Sequence, residues 1–130
     1  MMRHARHKER GLAAVELALM LPALMLMLLL MVEGANAFRV FSAIHEASRE
    51  GARLVLRDGD VASVPMLVES LIEGLPETVL TTNVMMDGGG TAVTVEIAYE
   101  YQSFYGYNPA LDALGDGPFT FHAATTMPLP

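Results

Sequence analysis

The run Leu12–Val32, LAAVELALMLPALMLMLLLMV, decides how the rest of the chain is read. Its 21 residues would rise roughly 31 Å as an α-helix at about 1.5 Å each, matching a bilayer core about 30 Å thick. From Leu17 to Val32 no polar side chain interrupts it, whereas a helix that covers a soluble core keeps one polar face. The run therefore predicts a transmembrane helix. Ahead of it, residues 1–11 carry Arg3, Arg6, Lys8 and Arg10 against Glu9, a net of +3. Behind it, residues 33–130 carry four basic and thirteen acidic groups, a net of −9. Lys and Arg flanking a span are retained on the cytoplasmic side. The expected organisation is a basic cytoplasmic leader (1–11), a transmembrane helix (12–32) and an extracytoplasmic α+β domain (33–130). In a bacterium this is a single-pass inner-membrane protein, N-terminus inside, with its domain in the periplasm.

Composition removes several classes of function. With no cysteine in 130 residues, disulfide scaffolds, thiol nucleophiles and Cys-ligated zinc are excluded. A net charge of −7 argues against a nucleic-acid partner, which needs a basic face. No nucleophile elbow, zinc-protease helix or phosphate-binding glycine loop occurs. His4 and His7 lie in the leader, His45 on a helix without a second ligand at metal spacing, and His122 alone on a strand. Asp58 with Asp60, or Asp112 with Asp116, supply too few oxygens for calcium, which takes about six to eight, and read as solvated loops. Met20, Met25, Met27 and Met31 fill apolar volume in the span. The expectation is a protein without cofactor or metal that is not an enzyme.

Two residues of the span stand out. Pro22 lacks an amide hydrogen and crowds the preceding turn, so a kink is expected there or at Gly34. Glu16 places a carboxylate in the membrane, a cost of about 2.5–3.5 kcal/mol at mid-bilayer and less near the interface. Either it reaches the headgroups or it awaits a cationic partner. Gly11 separates the basic stub from the span and precedes Glu16 by five positions, in Arg10-Gly11-Leu12-Ala13-Ala14-Val15-Glu16.

A basic leader, a glycine, four small or apolar residues, a glutamate and a long apolar helix resemble the type IV prepilins and pseudopilins. The run GLAAVELALMLPALMLMLLLMVEGANAF, with Pro22 early and Glu33 at the exit, is most similar to the TadE-like proteins, pseudopilins of Flp/Tad pilus systems. The segment EASREGARLVLRDGD resembles that family's helix continuation, so the likeness covers about residues 8–58. One departure is Leu17, where the prepilin pattern often has an aromatic; this suits a pseudopilin better than a major pilin. The resemblance implies cleavage by a prepilin peptidase after Gly11, leaving Leu12 as the new N-terminus. Glu16 of one subunit would then pair with the α-amino group of a neighbour, and removing one member of such a buried pair costs about 3–5 kcal/mol. The implied role is a minor pseudopilin that supports pilus assembly. Its implied partners are the major Flp-type pilin, other pseudopilins, the inner-membrane assembly platform and membrane lipid, and it is pilus-associated after processing. A rival signal exists at Ala35-Asn36-Ala37, the small-x-small form cut by signal peptidase. That cut would release residues 38–130. With no cut at all, the helix is only a tether for a periplasmic binding or adhesion domain.

Beyond the membrane the helical pattern continues to about Leu56. A continuous helix from Leu12 would be roughly 68 Å long. Phe41, Ile44, Ser48, Gly51 and Val55 form one stripe. Ala43, Ala47 and Gly51 form a row of small residues that permits close backbone approach, either to the protein's own sheet or to another subunit. Glu46, Arg49, Glu50 and Arg53 form a solvated, mutually paired face, and Asp58-Gly59-Asp60 ends the element. Val64, Leu67, Val68, Leu71, Ile72 and Leu75 predict a second helix, with Pro65 in its first turn and Gly74 and Pro76 at its end. Thr78–Met86, Thr91–Tyr105 and Phe119–Thr126 predict strands, the second having the clearest alternation. Gly88-Gly89-Gly90 is read as a hairpin turn and Gly106–Pro118 as a loop. Tyr99, Tyr101, Phe104, Tyr105 and Tyr107 pack on the sheet or form an adhesive patch. The expected product is α+β: a long N-terminal helix, a second helix and an antiparallel sheet of about three strands.

Overall fold

The computed structural model describes residues 3–104, 106 and 118–130, with side chains from residue 11 onward. Helix α1 (Arg3–Asp58) is the first element. It is followed by α2 (Val64–Ile72), β1 (Leu80–Met86), β2 (Ala92–Glu100) and β3 (Thr120–Pro128). The chain divides into two compact units, Met1–Ala35 and Asn36–Pro130. The architecture is α+β, as the periodicities predict. Tyr105, Tyr107, Asp112, Asp116 and most of the Gly106–Pro118 loop lie outside the described residues.

The first unit is helical wherever it is described, and α1 passes through Pro22 and Gly34 without a break. A mid-helix proline removes one backbone hydrogen bond, yet helix is retained on both sides of it.

In the second unit the strands form one antiparallel sheet in the order β1-β2-β3. The registers pair Val84 with Val95, and Val95 with Thr125. Val93, Val95, Ile97 and Tyr99 of the central strand are buried, while the intervening residues are half-buried. That alternation follows from successive side chains pointing to opposite faces. Val40, Ile44, Ala47, Ser48, Ala52 and Val55 of α1 and Val64, Val68 and Ile72 of α2 complete the core. The two hairpin partners of β2 bring few large side chains: Ala123 is the buried residue of β3, and Leu80 and Val84 of β1 are half-buried.

The helix ends where the sequence predicts. Gly59 has φ +68° and its N–H donates to the Val55 carbonyl at 2.9 Å. A glycine takes this left-handed conformation without steric cost and closes the last turn. Asp60 then organises the next turn, its Oδ1 accepting from the N–H groups of Ala62 (3.0 Å) and Ser63 (3.2 Å) and its Oδ2 from the Ser63 hydroxyl. These bonds hold the Asp60 carboxyl below its ordinary pKa, the Ser63 hydroxyl being the largest cause.

Several boundaries differ from the expectation. The stripe of α1 is set by Val40 rather than Phe41, which is exposed, its ring tilted against His45 at 4.1 Å and edge-on to Phe121 at 6.3 Å. The second helix stops at Ile72, and Leu75 N–H returns to the Ile72 carbonyl at 2.8 Å in a turn before Pro76. Leu71, on the expected apolar face, is exposed. The second strand ends at Glu100, five residues before Tyr105, with Tyr101 N–H making one last bond to Phe119 at 2.6 Å. Thr78 is not in the first strand; its hydroxyl bonds the Glu100 carbonyl at 2.7 Å.

Candidate functional site

The feature that sets this molecule apart is an apolar surface that its own fold leaves uncovered. Every large apolar side chain from Leu12 to Val32 is exposed, from 38% at Leu29 to 74% at Leu19. A helix within Gly11–Asp58 is long and apolar enough to cross a membrane, and none of that apolar stretch is buried by the rest of the protein. Nine leucines in the run contribute on the order of −3 to −5 kcal/mol to insertion, at about −0.3 to −0.6 each. Glu16 lies four residues, about 6 Å, inside the run, so its cost is below the mid-bilayer figure and the leucines outweigh it.

At the head of this surface, Gly11, Leu12 and Glu16 lie on one continuous helix and all three are exposed. A Cβ added at Gly11 would meet nothing within 4 Å. Glycine in a helix interior costs about 1 kcal/mol relative to alanine, and here no close packing or positive φ offsets that cost. The fold therefore gives no reason for glycine at position 11. The same holds at Gly34. Glu33, by contrast, is buried at 7% exposure.

Gly51 is the opposite case. Its added Cβ would stand 3.0 Å from Val64 Cγ1 and 3.3 Å from Val95 Cγ1. Ala47 and Gly51 are buried in the protein's own core and Ala43 is half-buried. The row of small residues that could serve a sheet or a neighbour is used, at its two buried members, by the sheet and α2. On the opposite side of α1 the expected charged face is present, with Arg49–Glu46 at 3.9 Å and Arg53–Glu50 at 3.3 Å.

The other groups singled out from the sequence are engaged locally. His45 Nδ1 lies 3.0 Å from the Phe41 carbonyl, and His122 is exposed on the outer sheet face opposite Ala98. Asp58 is held by Arg57 at 2.9 Å, a contact that lowers its pKa and raises that of Arg57. Among the described residues no group of three or more His, Cys, Asp or Glu could hold a metal. Tyr99 and Tyr101 are core residues, the Tyr99 hydroxyl donating to the Pro76 carbonyl at 2.8 Å, while Phe104 is exposed. Sequence reasoning missed one buried polar contact, between the hydroxyls of Ser48 and Thr125 at 2.6 Å. A serine on an apolar stripe was the available signal.

The chain thus joins a candidate membrane span, the uncovered apolar N-terminal helix, to an α+β unit. Within it, residues 11–53 match the family model described as TadE-like protein, agreeing with the resemblance read from the sequence. The match begins at Gly11, takes in Glu16, Pro22 and Glu33, and covers about a third of the chain. No match was found among curated proteins or among solved structures.

Proposed function

We propose that this protein is a minor pseudopilin, a structural component that supports assembly of Flp/Tad pili. In this reading a prepilin peptidase cuts after Gly11, and Leu12 becomes the N-terminus of an apolar helix that associates laterally in the membrane. Glu16 then pairs with the α-amino group of a neighbouring subunit, which rewards correct axial register, because an unmatched charge in lipid is costly. The major pilin, other pseudopilins and the inner-membrane platform are its partners, and the acidic α+β unit faces the periplasm. The protein carries out no catalysis in this scheme.

The observation that carries the proposal is the glycine at position 11. The fold does not need it, whereas the family match starts at it. The division of the chain between Ala35 and Asn36 favours a second reading, in which signal peptidase releases the second unit as a soluble domain.

Intact mass and N-terminal sequencing of the protein from membranes of its native host separate the two. A chain starting at Leu12 supports the pseudopilin, and one starting at Phe38 supports release. An unprocessed chain leaves a tether. The companion variants are Gly11→Val and Glu16→Leu. Gly11→Val should insert and fold normally but stay uncut. Glu16→Leu should insert at least as well yet fail to support pili; unimpaired piliation would remove the pairing role.

A further inference from the structure

The sheet of the second unit ends on one side in β1, and the outer edge of that strand is open. The Val79 carbonyl accepts from Glu100 N–H at 3.0 Å, and Asp87 N–H donates to the Ala92 carbonyl at 2.9 Å. Between these bonds the register runs one to one, from Leu80 opposite Tyr99 to Met86 opposite Val93, without a bulge. In an antiparallel pair the backbone groups face the partner at every second residue, so the odd-numbered residues of β1 bond β2. Leu80, Thr82, Val84 and Met86 therefore turn their N–H and C=O groups outward. Among the described residues these groups have no hydrogen-bond partner.

Proteins blunt such an edge with a charge, a proline or a bulge. The other edge carries one of these devices, because β3 ends in Pro128 at a residue whose backbone faces outward by the same alternation. The open strand reads Leu-Thr-Thr-Asn-Val-Met-Met, with no charge and no proline. It belongs to a unit with four basic and twelve acidic groups, so two copies repel one another over most approaches. The uncharged edge is a place where they can meet. Val79, Met85 and Met86 leave exposed apolar side chains along it.

The strand is also complementary to itself. Two antiparallel copies related by a two-fold axis at Asn83 pair all seven residues of β1. Leu80 then faces Met86 of the second copy and Thr82 faces Val84, so that every outward backbone group meets another. On the opposite face of the sheet Asn83 meets Asn83, and Thr81 meets Met85. No carboxylate opposes a carboxylate, since Asp87, the first acid beyond the strand, falls opposite Val79. Moving the axis to Thr82 or Val84 shortens the ladder.

We propose that β1 is a homotypic docking edge, to which a second copy of this chain adds its own β1 and so joins the two sheets into one. The contact involves the second unit alone, and cleavage after Gly11 or after Ala37 leaves it intact.

The chain has no cysteine, so one introduced thiol reports on the register. Residues that face each other without exchanging hydrogen bonds have Cα atoms about 4.5 Å apart, within the range of about 4.4–6.8 Å that a disulfide spans. The full-length protein in detergent micelles is given Asn83→Cys, Thr81→Cys or Met85→Cys, all at exposed positions. It is then oxidised mildly and followed by intact mass. Asn83→Cys is expected to link to itself about tenfold faster than either other variant, whose like thiols stand about 14 Å apart along the strand. A mixture of Thr81→Cys and Met85→Cys should give chiefly the mixed dimer. Adding Asn83→Lys to both members of that mixture sets like charges face to face and should reduce the mixed dimer to the level of either variant alone. Equal linking by all three cysteines would reveal random collision or association through the apolar helices, and overturns the proposal. So does an Asn83→Cys chain that stays unlinked, or a mixed dimer that survives Asn83→Lys. Faster self-linking of Thr81→Cys than of Asn83→Cys would require a different strand pairing and refutes it as well.

Discussion

Gly51→Ala and Gly34→Ala place the same methyl group in the same helix and are expected to act in opposite directions. Each gains about 1 kcal/mol of helix propensity. At Gly34 nothing lies within 4 Å of the new Cβ, so the gain is kept. At Gly51 the new Cβ would stand 3.0 Å from Val64 Cγ1 and 3.3 Å from Val95 Cγ1. Both valines are fully buried, and β-branching leaves each a restricted choice of χ1. Overpacking a dense core costs about 1–3 kcal/mol. The net for Gly51→Ala is therefore a loss of about 1 kcal/mol, and Gly51→Val should lose about 3 kcal/mol or more by the same mechanism. Urea unfolding in detergent, followed by near-ultraviolet circular dichroism of Tyr99 and Tyr101, measures this. Val64→Ala in the Gly51→Ala background should cost about 1 kcal/mol less than in the parent, the coupling expected of residues in contact. A Gly51→Ala variant more stable than the parent, or a coupling near zero, would show that the α1–α2 approach is looser than these distances state.

Removing the Ser48 hydroxyl orphans a partner that the fold holds at 2.6 Å. Ser48→Ala should cost about 1–2 kcal/mol, whereas Ser48→Ala with Thr125→Val should recover much of the loss, because an unsatisfied buried group is worse than an apolar pair; the same urea titration checks it. Asp60 gives a pH signature. Its folded pKa lies below the ordinary 3.8, so the stability it contributes is present above the unfolded pKa and is lost as pH falls through the folded one. The difference in denaturation midpoint between the parent and Asp60→Asn should shrink as pH is lowered below about 4, and a difference constant with pH would deny the carboxylate that role.

How far the sequence discloses this structure depends on how local each determinant is. The apolar run and the alternation of Val93, Val95, Ile97 and Tyr99 are statements about consecutive residues, and both are realised. The choice of Val40 over Phe41 is not local. Adjacent residues of a helix differ by about 100°, and which one faces inward is decided by the core that the later helix and strands complete. The end of the second strand escapes for a related reason. Tyr101 continues the alternation and is buried, but the ladder needs a partner strand, and that partner begins only at Thr120. At the candidate site, Gly11 and Glu16 are legible because their meaning lies in their spacing and in the surrounding apolarity. The Ser48 contact is not, since nothing in the sequence says that Thr125, 77 positions later, meets its hydroxyl.

The contact between Ser48 and Thr125 joins residues 77 positions apart, and that separation has a meaning in time. A ribosome adding about 5–20 residues per second needs on the order of 4–15 s to pass from one to the other. Through that interval the buried stripe of α1 exists without the strand that finishes its cover. The helix is thus committed early while its core is completed last, and this interval is when a holdase or a protease can compete for the nascent chain.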